Sequence, residues 1–262
     1  KACNLQALKE HVALRQNLVA WAEKLEWDWP DGNNAQWNTA MWDDGIPLSM
    51  NKFEEALADA LLHQHRYSIG CYAAIKLSLS YGIFDYYQRV QGHAAKADLV
   101  RQRLIGDGDP LLDVEPHEAW SFEADFDTAT RDHPGKLLRL VGSVAPQNFV
   151  PGDWAYFVNT DPTSSLKVGY EGSNAIYLGQ GKFADFYDDH RHSYAFNEKI
   201  DEVYQWRNGV FSRARDGAKI RALSDSEMAQ LSQTPAKGGL LLDWRLRSEE
   251  HTSELQSRLQ IS

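Results

Sequence analysis

Cysteine is scarce in this chain: of 262 residues only Cys3 and Cys71 carry thiols. Two such residues make neither a disulfide framework nor a Cys-x-x-Cys metal site, and nothing in their spacing asks them to pair. Basic residues are also in short supply, 27 Lys and Arg against 37 Asp and Glu, for a formal net charge of -10. That balance argues against a nucleic acid as partner, because phosphate binding needs clustered cations. No apolar run approaches the roughly 20 residues of a membrane-crossing helix, so no membrane span is expected. Calcium is not expected, since no EF-hand-like acidic loop occurs. Zinc is not expected either, because His190-Arg191-His192 has no further His or Cys cluster near it. The chain therefore implies no cofactor.

Internal repeats and low-complexity tracts are absent too. The chain opens at Lys1 with no Met and no signal-peptide pattern, as a fragment or processed domain would. At the other end, residues 247–257 resemble a translated short-read sequencing adapter. The natural sequence is therefore expected to stop near Leu246, with 247–262 a non-native tail. Residues 1–246 are read as a single domain whose core spans about 50–215.

Aromatic residues are plentiful. Nine are Trp, and Trp27, Trp29, Trp37 and Trp42 crowd into one early stretch, where they either fill a core or line a substrate cleft. Residues 4–25 read as a helix, with Leu5, Leu8, Val12, Val19 and Leu25 at near-helical spacing. A second helix is expected to start on Asn51 as its N-cap, with Phe53, Ala56, Leu57, Ala60 and Leu61 on one face. The third, from Cys71 to about Val90, is apolar on nearly every side and so should be central. Residues 105–150 read as loops and short elements. From Pro151 the period changes: 154–158, 174–178 and 182–187 are aromatic and β-branched, and the last two flank a Gly179-Gln180-Gly181 hairpin turn. Helical spacing returns at Ile200, Val203, Tyr204, Val210 and Phe211, and Ser224 to Glu227 forms a capping box. Helices followed by a sheet give an α+β order.

Cys71 is the residue with chemistry to offer. A thiol attacks as thiolate, and the unpaired N–H groups at a helix start favour an anion there. His63 and His65 read as surface or helix-end partners, and Cys3 as a bystander.

Two blocks carry a family resemblance. The run from His65 through Arg66, Tyr67 and Gly70 to Cys71, continuing to Leu77, resembles the active-site segment of the small spore-coat transglutaminases of bacteria. Pro151-Gly152-Asp153, then Tyr156-Phe157-Val158-Asn159, and after a gap Gly172-Ser173-Asn174, is similar to that family's strand motifs. The two blocks cover roughly 60–190. The resemblance implies a papain-like α+β domain, with the nucleophile at the start of a buried helix packed on a small antiparallel sheet. It implies protein substrates, with glutamine as acyl donor and lysine as acceptor. Cys71 would attack the glutamine carboxamide, and an amine or water would resolve the thioester. A thiol peptidase or amidase, or a binding domain without activity, are the alternatives on the same fold.

The sequence departs from the family at two positions. Gly70 stands where the family has Glu before the nucleophile, and Ser173 where it has a catalytic carboxylate. Strand pairing supplies replacements. If the hairpin pairs 179 with 182 and 178 with 183, Asp188 lies opposite Ser173 and His190 opposite Glu171, giving a Cys71–His190–Glu171 constellation. The family's own histidine aligns near Phe186.

Overall fold

The structure is a computed structural model, and it describes residues 5–30, 33–107, 110–112, 149–159, 161–184, 186–187, 193–211, 224–227 and 240–245. Helix α1 (Leu5–Ala22) lies against α3 (Cys71–Asp85). Its inward stripe is Leu14, Leu18 and Ala22, continued by Leu25, whereas Leu5, Leu8 and Val12 of the expected stripe are exposed. The helix surface offers two stripes, and Gly82 of α3 selects between them. A Cβ built at Gly82 would fall 2.3 Å from Leu18 Cδ2, so α3 leaves room for Leu18 only because it lacks a side chain there.

Helix α2 (Phe53–Leu62) buries Phe53, Ala56, Leu57, Ala60 and Leu61, as its spacing predicts. Its start differs from the reading: Asn51 sits inside a 3-10 turn, Met50–Lys52, so Lys52 takes the N-cap position and no side chain caps the helix. Every residue of α3 is buried, and the helix runs on through a π-helical turn at Tyr86–Val90. Helix α4 (Ala94–Asp107) stands where no helix is expected, and it extends into the stretch expected as loop. Its inward stripe is thin, Ala97, Val100 and Leu104 among charged neighbours. Most of 105–150, the tail after Arg245 and Cys3 lie outside the described residues.

Strands β1 (Trp42–Asp43) and β2 (Ile46–Pro47) form a small hairpin. The main sheet is antiparallel, in the order β6 (Tyr194–Ala195), β5 (Lys182–Ala184), β4 (Gly172–Gly179), β3 (Trp154–Asn159), β7 (Leu240–Arg245). Helices α1 and α3 pack on β4 from one side. Helix α5 (Phe196–Arg207) packs on β3 from the other, over Ala155, Phe157, Ala175, Val203 and Trp206. The architecture is thus mixed helix and small antiparallel sheet, the α+β class. The capping box at Ser224 is present: its N–H donates to Glu227 Oε2, and the Glu227 N–H returns to Ser224 Oγ.

The Pro-Gly-Asp run fastens α1 to the sheet. Arg15 makes a 2.7 Å ion pair with Asp153 and donates to the Pro151 carbonyl at 3.0 Å. Gly152, at φ +88°, lets the backbone turn against the Arg15 stem.

The hairpin register differs from the expected one. Gln180 and Gly181 both have positive φ, as a tight hairpin turn requires, and Gly179 pairs with Lys182. The next pairs are Tyr177 with Phe183 and Ile176 with Ala184. Leu178 is therefore bulged, and the ladder beyond it is one residue out of phase with an unbulged hairpin. The expected pair of 178 with 183 does not form. Strand β5 ends at Ala184, and the expected pairs of Asp188 with Ser173 and of His190 with Glu171 lie outside the described residues.

Candidate active site

The segment before Cys71 is held from both sides as an extra strand. Asp28 N–H donates to the Tyr67 carbonyl at 3.2 Å, and Ile69 N–H to the Asp28 carbonyl at 3.1 Å. On the other edge Ser68 and Gln36 exchange two backbone bonds of 2.9 and 2.8 Å. Tyr187, three residues past the end of β5, anchors the same segment, its hydroxyl donating to the Ile69 carbonyl at 3.0 Å.

A buried carboxylate underlies the start of the segment. Asp59 on α2 accepts from the Tyr67 hydroxyl at 2.6 Å, from Asn38 at 2.9 Å and from Arg66 at 3.3 Å, and lies 2.7 Å from the His63 ring. Burial pushes its acidity toward the neutral form, but the bonds from Tyr67, Asn38 and His63 outweigh that, and its pKa falls below the usual carboxylate value. Burial, joined by the bond to Asp59, drives the Tyr67 phenol well above its ordinary range. The Trp42 indole donates to the same hydroxyl at 3.1 Å, so Arg66 and Tyr67 of the motif are structural props.

Cys71 opens α3, with Gly70 at the N-cap in extended conformation. The first-turn N–H groups of a helix find no partner within it, so the sulfur sits at the positive end of α3. Cys71 is 9% exposed. The side chain that reaches it is Asn174, whose Nδ2 donates to Sγ at 3.3 Å. Asn174 is oriented in turn by Trp154, whose indole N–H donates to Asn174 Oδ1 at 2.7 Å. The Trp154 ring also packs on Tyr72, centroids 5.8 Å apart. Neighbouring strands β3 and β4 thus deliver an ordered relay, Trp154 to Asn174 to Cys71.

Asn174 and Trp154 both lie inside the motif blocks, yet motif and spacing assign neither a role. The signal was parity: residues two apart on β4 share a face. With Asn174 turned to α3, Ser173 lies on the opposite face, fully buried opposite Phe157. Glu171 has the same parity as Ser173. It is exposed, and its Oε1 accepts the Gly169 N–H at 3.1 Å. Among the described residues no carboxylate or imidazole hydrogen-bonds Cys71 Sγ. Asp188 and His190 lie outside the described residues. Of the four tryptophans, Trp27 and Trp42 are core, Trp37 packs against it, and Trp29 lines a cleft.

A family model for protein-glutamine gamma-glutamyltransferase matches residues 3–187, a span that holds both Cys71 and the strand relay. The chain belongs to that family. The family acts on protein substrates by acyl transfer from glutamine, so this transglutaminase is an acyltransferase. Its fold is similar to that of a transglutaminase from Geobacillus stearothermophilus, in the form without its C-terminal extension. The two share 17% identity over 94% of this chain and 95% of the other, with a TM-score of 0.55. No curated protein sequence matches the transglutaminase chain. Among its described residues no helix is long and apolar enough to cross a membrane.

Proposed function

We propose that the chain transfers the γ-glutamyl group of protein-bound glutamine through a thioester on Cys71, in a papain-like arrangement of helix and sheet. The observation that carries this reading is the position of Sγ, at the first turn of buried α3 and within hydrogen-bonding reach of Asn174. Both the helix start and the amide present positive dipole ends to the sulfur, which stabilises negative charge on it.

The sulfur attacks the glutamine Cδ as its proton passes to a base. First-turn N–H groups of α3, together with Asn174 Nδ2, receive the oxyanion. The Cδ–N bond then breaks, and ammonia leaves with a proton returned from the base. A lysine amine attacks the thioester and gives up a proton to the base, the C–S bond breaks and the thiolate is restored. The product is an isopeptide crosslink, or glutamate when water attacks instead. His190, assisted by Asp188, is our proposed base. What supports that choice is Tyr187, which brings the chain just before them onto the Ile69 carbonyl. Glu171, turned to the Gly169 N–H, is given no part.

The test is mass analysis of protein mixed with a glutamine peptide, with and without a labelled alkylamine. An acyl adduct on the Cys71 peptide and amine-bearing product are expected, and both should vanish in Cys71→Ala. His190→Ala should slow both and remove the acid limb of the pH–rate profile. Peptide cleavage without amine incorporation would instead make the protein a thiol hydrolase. No adduct at all would leave a binding domain on the same fold.

A further inference from the structure

Beside the nucleophile segment lies an open cleft of about 790 Å³, lined by Asp28, Trp29, Pro30, Asn33, Asn34, Gln36 and Ser68. Its walls are polar, and among the described residues they include one carboxylate and no cation. Asp28 is exposed, and its carboxylate makes no hydrogen bond or ion pair among the described residues. Trp29 is held rigidly. Its ring stands edge-on to Tyr187 at 5.4 Å and to Tyr170 at 6.3 Å, and Gly169 (φ +84°) leaves it space that a Cβ would invade at 2.7 Å. The cleft floor belongs to the catalytic segment itself: Ser68 is three residues before Cys71, a backbone span of at most about 10 Å. Between them the ground beside Gly70 is open, since a Cβ there would meet nothing within 4 Å.

Resting on the reading of Cys71 as nucleophile, we propose that this cleft is the acceptor subsite, which collects the ammonium group of the incoming lysine before it reaches the thioester. The chemistry selects that substrate. A carboxylate, an aromatic side chain and amide oxygens are the groups that hold a primary ammonium, through charge, ring quadrupole and N–H donation. The glutamine donor is neutral and has no use for the charge of Asp28. The ammonium loses a proton to water in the open cleft, and the neutral amine then attacks the thioester carbonyl. Asp28 binds and does not take part in bond making.

The subsite is tested by acceptor competition on the intact chain. A blocked glutamine dipeptide is the donor, and the acceptors are a dansylated pentylamine, cationic at pH 7, and hydroxylamine, which is neutral. Asp28→Asn keeps the shape and removes the charge. The preference for the cationic amine over hydroxylamine, as a ratio of kcat/KM values, is expected to fall roughly two- to fivefold, through KM for the amine. Asp28→Glu is expected to restore most of it, and 0.5 M salt to shrink the wild-type preference toward that of Asp28→Asn. An Asp28→Asn ratio equal to that of the parent overturns the proposal, as does a change carried by kcat for both acceptors. Cys71→Ala separates the two levels. If it retains transfer, the nucleophile reading has failed; if transfer is lost while the Asp28→Asn ratio holds, the subsite alone has failed.

Discussion

Replacing Trp154 by Phe should disarm Cys71 without touching it. The indole N–H donates to Asn174 Oδ1 at 2.7 Å, and that bond decides which end of the Asn174 amide faces the sulfur. Asn174 is only 3% exposed, so water cannot readily replace the lost donor, and the stranded oxygen costs about 1–3 kcal/mol. Turned over, the amide would aim its oxygen at the sulfur in place of Nδ2. A hydrogen bond to a charged group contributes about 1.5–3 kcal/mol, which converts to roughly 10- to 150-fold in rate. The assay is the second-order rate of iodoacetamide alkylation of Cys71 at pH 7, followed by mass analysis in a Cys3→Ser background, beside kcat/KM for amine incorporation. Asn174→Ala should give a loss of the same order. Because Trp154 acts through Asn174, the double variant should alkylate little more slowly than Asn174→Ala. Additive losses would refute the relay, and so would a Trp154→Phe protein as reactive as its parent.

Two further outcomes follow from the packing. Gly82→Ala, which drives a methyl against Leu18, should lower unfolding stability by about 1–3 kcal/mol in urea titration, and Leu18→Ala should recover part of that loss in the double variant. Acid should weaken the fold in a defined way. Asp59 and Asp85 both have lowered pKa values: burial opposes ionisation, but the bonds from Tyr67, Asn38 and His63 at Asp59, and from Arg89, Trp21 and Asn17 at Asp85, outweigh it. Their stabilisation is full above the unfolded carboxylate value of about 3.9 and is lost as pH falls through the folded values. The urea midpoint should therefore drop on going from pH 7 to pH 3, and drop less in Asp85→Asn; an equal drop in that variant would remove Asp85 from the account.

Much of the site was legible because it is local. A helix apolar on all sides, opening on a thiol after a glycine, states its own burial and polarity, and α3 begins at Cys71 as read. The facing of side chains was less legible, because it depends on which layer covers which surface. Nothing in the composition of 176–184 announces the bulge at Leu178, yet it changes the phase of the whole ladder beyond it. Asn174 and Ser173 are neighbours in the chain, and only the helix packed on β4 decides which one meets the sulfur. The stripe that α1 buries is hidden for a similar reason, since its partner groove is made by a glycine 64 positions after Leu18. Strand β7 joins the sheet beside β3, far away in sequence, and β3 specifies it only through the finished edge.

The open ground at Gly70 has a consequence for how such a catalyst can change. Its backbone, at φ -69° and ψ 158°, suits any residue, and no neighbour stands where a side chain would go. An acidic group can be gained or given up at that threshold without disturbing the helix behind it. Reactivity at this position is therefore free to drift while the architecture stays put, and related proteins that differ here can differ in chemistry while sharing one scaffold.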